Sequence, residues 1–221
     1  MSKQTENQAA AAAAMREEYG SQSLRREDLE ADPITQFEKW FATARELQLT
    51  EPNAMSVSTL GLDGFPASRM VLLKFFNKDG FVFYTNYGSA KAKEIDANPK
   101  VSLLFPWLQL ERQVRIEGEV EKVSAAESLK YFASRPRESQ IGAWVSDQSN
   151  VVDSKSLLMN KWEELTQKFK GGDVPIPTFW GGYRVKAIRI EFWQGGKGRV
   201  HDRFRYSLQE DGSWQIDRLA P

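Results

Sequence analysis

The stretch Ala54-Met55-Ser56-Val57-Ser58-Thr59-Leu60, then Asp63-Gly64, Pro66-Ala67-Ser68-Arg69-Met70-Val71-Leu72-Leu73-Lys74-Phe75-Phe76, Asn77-Lys78-Asp79-Gly80 and Phe81-Val82-Phe83-Tyr84-Thr85 decides the fold class. Apolar and β-branched runs bounded by Asp-Gly turns read as consecutive antiparallel strands, a β-meander. Further along, Val101 to Trp107, Gln113 to Val123, Phe179 to Val185, Ala187 to Trp193, Val200 to Leu208 and Ser213 to Asp217 bring the expectation to seven to nine strands. Helices fall between them. Asp32-Pro33 is an N-cap followed by proline at the first helical position, and Phe37, Trp40, Phe41 and Ala44 then share one stripe. Ser89 to Asn98 reads as a short helix. Ser124-Ala125-Ala126-Glu127 is a capping box opening a helix through Phe132, and Arg137 to Val145 and Ser154 to Phe169 follow, the last ending at Gly171-Gly172. Runs of strands with inserted helices indicate a mainly β, α+β chain built on an antiparallel barrel rather than alternating βαβ units.

Composition narrows the chemistry. The 221 residues suffice for one domain with a substantial core, residues 31–221, preceded by a mobile arm at 1–30. Lys and Arg together number 30, as do Asp and Glu, so no global field favours nucleic acid or an anionic membrane and a basic site must be local. The absence of cysteine excludes disulfides and thiolate chemistry, and a single histidine argues against a zinc site, so no metal is expected. No apolar run approaches the roughly 20 residues that span a bilayer. The start, polar to Gln8 and then six alanines, lacks a signal-peptide pattern, so a cytoplasmic protein is expected. Neither a Gly-x-Gly-x-x-Gly motif nor a P-loop is present.

Local cation clusters carry the functional reading. Arg199, His201 and Arg203 alternate within an expected strand and would project to one face, next to Trp193 and the Gly195-Gly196 pair. Adjacent cations repel unless an anion lies between them, and Trp193 offers a flat surface to a ring, which together suggest a pocket for an aromatic phosphorylated ligand. Lys91 and Lys93 open the short helix, where cations oppose the macrodipole unless a bound phosphate reverses the effect. Arg69 and Lys74 lie in one apolar run and, five apart on a regular strand, would face opposite sides, so at least one needs an internal partner. Tyr131 and Arg135, four apart on a helix face, with Ser139 opening the next segment, supply the donors a phosphate monoester needs.

Taken in order, Arg69 to Lys74, Phe83 to Asn86, Arg112-Gln113-Val114, Ser134-Arg135-Pro136, Ser139 to Ala143, Gln148-Ser149, Phe179-Trp180-Gly181-Gly182-Tyr183, Glu191 to Gly195, Arg199 to Arg203 and Arg218 to Pro221 resemble the pyridoxine/pyridoxamine 5′-phosphate oxidase family from about residue 15 onward. The resemblance implies a homodimeric FMN-binding split β-barrel with flavin at the subunit interface. The implied reaction oxidises pyridoxine 5′-phosphate or pyridoxamine 5′-phosphate to pyridoxal 5′-phosphate, with O2 as acceptor, H2O2 as product and ammonia released from the amine.

The same resemblance implies residue roles. FMN would be held by Arg69, Met70, Val71, Leu72, Leu73, Lys74, Tyr84, Thr85, Lys91, Gln113, Gln148, Ser149, Trp193 and Arg203. The substrate phosphate would meet Lys74, Tyr131, Arg135 and Ser139, with Arg199, Val200 and His201 at the substrate ring, Arg199 and His201 as catalytic residues, and Arg16 and Tyr19 closing over the site. Two positions depart from the family pattern: Ala90 stands where the family usually has arginine before Lys91, and Glu17 follows Arg16 where members often have a second arginine. Two rival readings share the fold. Another split-barrel flavoenzyme using a nicotinamide donor is disfavoured by the Tyr131, Arg135 and Ser139 set, and a non-catalytic flavin or pyridoxal-phosphate carrier by the presence of both Arg199 and His201.

Overall fold

The computed structural model describes residues 18–20, 22–146 and 148–221, so Arg16 and most of the alanine-rich start lie outside the described residues. Nine strands form one antiparallel sheet: β1 (Ala54–Leu60), β2 (Pro66–Leu72), β3 (Phe75–Asn77), β4 (Gly80–Asn86), β5 (Lys100–Trp107), β6 (Arg112–Lys122), β7 (Trp180–Gln194), β8 (Asp202–Leu208) and β9 (Trp214–Arg218). The order β2-β1-β5-β6-β7-β4-β3 curls into a split barrel, with β8 joining β7 and β9 joining β8. Among the described residues five α-helices decorate it: α1 (Pro33–Glu46), α2 (Ala90–Ala97), α3 (Ala125–Ser134), α4 (Arg137–Val145) and α5 (Lys155–Lys168).

Strand β7 is the spine. From Tyr183 to Gln194 it pairs with β6, over its first part with β4 (Asn86↔Trp180 to Phe81↔Val185), and over its last part with β8 (Arg189↔Ser207 to Gln194↔Asp202). Two separate strands were expected over this range. A single strand forms because Lys186 cannot break the ladder on its own, and the register shift at Glu117/Gly118 of β6 absorbs the extra residue.

The Arg69 to Lys74 run also differs from expectation. Strand β2 stops at Leu72, and Leu73 and Lys74 donate their backbone N–H groups to Asn53 O and Val82 O before β3 begins. Lys74 therefore leaves the ladder instead of alternating with Arg69.

The core follows from the α1 stripe. Asp32 Oδ1 accepts from the Ile34 amide at 2.8 Å, which caps the helix and leaves Pro33 at its first position. Phe37 is fully buried and meets the rings of Phe41, Phe76, Phe81, Phe105 and Trp107 at 4.9–5.8 Å between centroids. A second, smaller core of Phe132, Ile141, Val145, Val174 and Trp180 fastens α3, α4 and α5 to the start of β7. The Ser124/Glu127 capping box forms as the sequence predicts.

Candidate functional site

Between β2, β4, α2 and the α3–α4 junction lies a cleft of about 810 Å³. It is lined by Met70, Val71, Leu72, Lys74, Tyr84, Thr85, Lys91, Tyr131, Arg135, Ser139, Gln148 and Trp180 among others, so residues expected to hold cofactor and residues expected to hold substrate phosphate share one cavity. Its wall is an aromatic stack. Tyr84 lies parallel to Trp180 (5.2 Å, 12°) and to Tyr131 (4.1 Å, 26°). Burial, aided by the Glu127 charge, pushes the Tyr84 hydroxyl up to about 12, so it remains a neutral donor at physiological pH.

Two cations point into this wall without a carboxylate. Lys91 is buried at 7% exposure, and its Nζ donates to Thr85 Oγ1 (3.0 Å), Gln148 Oε1 (3.1 Å) and Ser89 Oγ (3.4 Å), all neutral oxygens. Burial holds its ammonium below the usual lysine range, with the Arg69 charge adding to the shift and Glu94 opposing it. Arg135 stacks its guanidinium 4.7 Å over the Trp180 ring, and its buried Nη1 has no hydrogen-bond partner among the described residues. Burial lowers its pKa as well. A desolvated cation without an anion is costly, so buried Lys91 and half-buried Arg135 in one cleft favour an anionic ligand. Helix α3 ends at Ser134 with Arg135 already extended, so Tyr131 and Arg135 meet across the helix end rather than on one continuous face.

Arg69 behaves differently. Its Nη2 donates to Glu94 Oε2 at 2.7 Å and its Nη1 to Thr59 Oγ1 at 2.5 Å, toward α2 rather than among the cleft-lining groups. Ser149 faces a neighbouring cavity of about 410 Å³ together with Ala90, Lys93 and Glu94. Leu73 is buried in the core at 4% exposure.

The remaining expected residues form a second cluster at the far end of β7. Gln113 pairs with Trp193 and Trp193 with Arg203 across three strands. His201 lies 4.6 Å from the Trp193 ring, and Tyr19 meets both edge-on. Gly196 N–H donates to His201 Nδ1 at 3.1 Å, which leaves Nε2 as the protonated, donating nitrogen of the neutral ring. Arg203 is tied to Glu191 Oε1 and Ala220 O, both at 2.8 Å. The expected strand through Arg199, His201 and Arg203 does not form. Gly198 and Arg199 both take left-handed φ values (61° and 64°), so the chain turns and β8 starts only at Asp202. Arg199 and Val200 are exposed on that turn, and only Arg203 is a strand residue.

The two clusters sit at opposite ends of one 15-residue strand. At ~3.3 Å per residue, Trp180 and Trp193 are about 40 Å apart along β7. No single small ligand reaches both within one chain.

Sequence reading missed Trp180, which carries the stack, and Glu94, the buried acid on Arg69. The signal for Trp180 was present in Phe179-Trp180-Gly181-Gly182-Tyr183, because the glycines there permit close packing: a Cβ on Gly181 would run into the Tyr87 ring. Glu94 gave no signal, since a helix acid next to lysines reads as solvated.

Fold and cleft together define a split-barrel protein with an aromatic, cation-lined pocket. The family model described as pyridoxamine 5′-phosphate oxidase matches residues 42–169, and that of the pyridoxine 5′-phosphate oxidase C-terminal dimerisation region matches residues 180–221. The chain belongs to the pyridoxamine 5′-phosphate oxidase family. The pyridoxine/pyridoxamine 5′-phosphate oxidase of Aliarcobacter butzleri is 58% identical over 207 residues, covering 94% of this chain and 98% of the relative. That of Crocosphaera subtropica is 59% identical over 210 residues, covering 94% and 98%. Among solved structures, PhzG from Burkholderia lata 383, in complex with tetrahydrophenazine-1-carboxylic acid, aligns with a TM-score of 0.85 at 26% identity over 92% of this chain and 100% of that one. No helix among the described residues is long and apolar enough to cross a membrane.

Proposed function

We propose that this chain is an FMN-dependent oxidase that converts pyridoxine 5′-phosphate and pyridoxamine 5′-phosphate to pyridoxal 5′-phosphate. Oxygen is reduced to H2O2, and the amine substrate also consumes water and releases ammonia. One observation carries the reading: the cleft sets two cations without direct carboxylate partners, buried Lys91 and half-buried Arg135, beside the Tyr84–Trp180–Tyr131 stack. Two phosphorylated ring systems, cofactor and substrate, match that layout. Identity of 55–59% to oxidases of this substrate class supports it.

The donor set fits FMN. Lys91, Thr85, Gln148 and Ser149 would hold the phosphate end with Arg69, while the backbone run Met70 to Lys74 and Tyr84 would line the ring end, and Gln113, Trp193 and Arg203 would come from the second cluster. When bound, FMN supplies the two-electron acceptor that oxygen later regenerates. The protein's residues do the rest. Lys74, Tyr131, Arg135 and Ser139 bind the substrate phosphate, with the Arg135 guanidinium stacked on the Trp180 ring. Arg199 orients the substrate and offsets negative charge that develops on it. His201, its Nδ1 occupied by Gly196, offers Nε2–H to the substrate ring next to Val200. Tyr19, edge-on to His201, closes over this end; Arg16, assigned the same role by the family resemblance, lies outside the described residues.

Because β7 separates the clusters, the complete site belongs to a homodimer with FMN at the interface, each chain giving its cleft to one site and its Arg199–His201 turn to the other. The arm (1–30), the single FMN-binding domain (31–221) and a cytoplasmic location complete the proposal, with no metal, nucleic acid or membrane partner.

The test is direct. Purified protein supplied with FMN, pyridoxine 5′-phosphate and air should yield pyridoxal 5′-phosphate and H2O2 in equal amounts. A protein that binds flavin and forms no product would overturn the substrate assignment.

A further inference from the structure

Glu94 lies one turn after Lys91 on α2, is buried at 8% exposure, and uses a single oxygen, Oε2, for both Arg69 Nη2 (2.7 Å) and the Thr59 hydroxyl (2.5 Å). Thr59 Oγ1 in turn accepts from Arg69 Nη1, so the three side chains form a closed triangle. Lys91 feels both neighbours: the Arg69 charge disfavours its ammonium and the Glu94 charge favours it. Arg69, Lys91 and Glu94 are therefore one electrostatic cluster with a net charge of one positive. A phosphate monoester carries about −1.5 to −2. On the same side, Ala90 contributes no charge to the cavity that Glu94, Lys93 and Ser149 line.

We propose that Glu94 is a positioning residue that holds Arg69 in place for the cofactor phosphate and at the same time weakens phosphate binding by offsetting its charge. The inference rests on the FMN reading above. In the flavin-free protein Glu94 pairs directly with Arg69 and acts on Lys91 only through its field, and on FMN binding it opposes the incoming dianion.

Glu94→Gln separates the two roles. A glutamine Oε1 can accept from Arg69 and Thr59 as the carboxylate does, so geometry is kept and only charge is lost. One unit charge at close range in a partly solvated site leads us to expect a Kd for FMN about tenfold lower, equivalent to about 1.4 kcal/mol. Affinity for riboflavin, which lacks the phosphate, should not change. Both constants are read from quenching of flavin fluorescence on titration with the full-length protein. Thr59→Val, which removes the shared hydroxyl without changing charge, should leave the FMN-to-riboflavin affinity ratio at the wild-type value. An unchanged or weaker FMN affinity in the charge-removed variant, or an equal gain for riboflavin, overturns the inference alone. Failure of wild type to bind FMN better than riboflavin would overturn the phosphate-site reading beneath it.

Discussion

Replacing Lys91 with methionine should weaken FMN binding while leaving the flavin-free protein as stable as wild type or more so. The side chain is almost fully buried and donates to Thr85, Gln148 and Ser89, none of which carries charge. Methionine keeps the unbranched stem and removes the ammonium. A hydrogen bond from a charged donor contributes about 1.5–3 kcal/mol, so the FMN dissociation constant should rise about 10- to 150-fold. Stability should move the other way, because burial and the Arg69 charge outweigh the distant help of Glu94 to that ammonium, and each kcal/mol regained raises Tm by roughly 2–4 °C in a chain of this size.

The pH dependence has a definite sign. Burial sets the folded pKa of Lys91 below the ordinary 10.5, so between the two values the unfolded chain binds more protons and stability rises with pH. Lys91 thus costs flavin-free stability in full below its folded pKa, and the cost fades as pH approaches 10.5. The Tm advantage of Lys91→Met should be largest near neutrality and vanish toward that limit. Flavin fluorescence titration and thermal melts from pH 7 to 10 measure both effects. A variant with wild-type FMN affinity, or one whose flavin-free form melts several degrees lower, would refute the reasoning.

Three further outcomes are expected. Arg135→Lys keeps the charge and loses the planar contact with Trp180, so KM for pyridoxine 5′-phosphate should rise about tenfold or more while the FMN dissociation constant stays put; steady-state kinetics with saturating FMN decide it. Arg135→Ala and Arg199→Ala chains, each nearly inactive alone, should regain about a quarter of wild-type activity when unfolded and refolded together, since heterodimers rebuild one intact site; no recovery would place both residues in the same chain's site. Phe37→Ala empties the centre of a five-ring cluster and should cost about 3–5 kcal/mol in urea unfolding, with little change in flavin affinity for the protein that remains folded.

Much of the barrel was legible because its signals are local. Asp-Gly turns, the Asp32-Pro33 cap and the Ser124/Glu127 box each act within a few residues, and each forms as the sequence predicts. The cleft members Lys91, Tyr131 and Arg135 were also legible, since buried cations and aromatic donors are chemically conspicuous. The Arg199–His201 strand failed for a local reason of another kind: alternation presumes extended backbone, and two successive left-handed residues override it. Sequence determined by itself the residue types, the local turns and caps, and the family, but not the strand order: β2 and β3 end up at opposite ends of it rather than side by side as in the expected meander. Tertiary structure alone decided that Glu94 neutralises Arg69, that Trp180 joins Tyr84 to Arg135, and that β7 carries the two halves of the candidate site to opposite ends. Those three facts depend on pairings between residues 13 to 96 positions apart, such as Arg69 with Glu94, which only strand register and helix docking bring within reach.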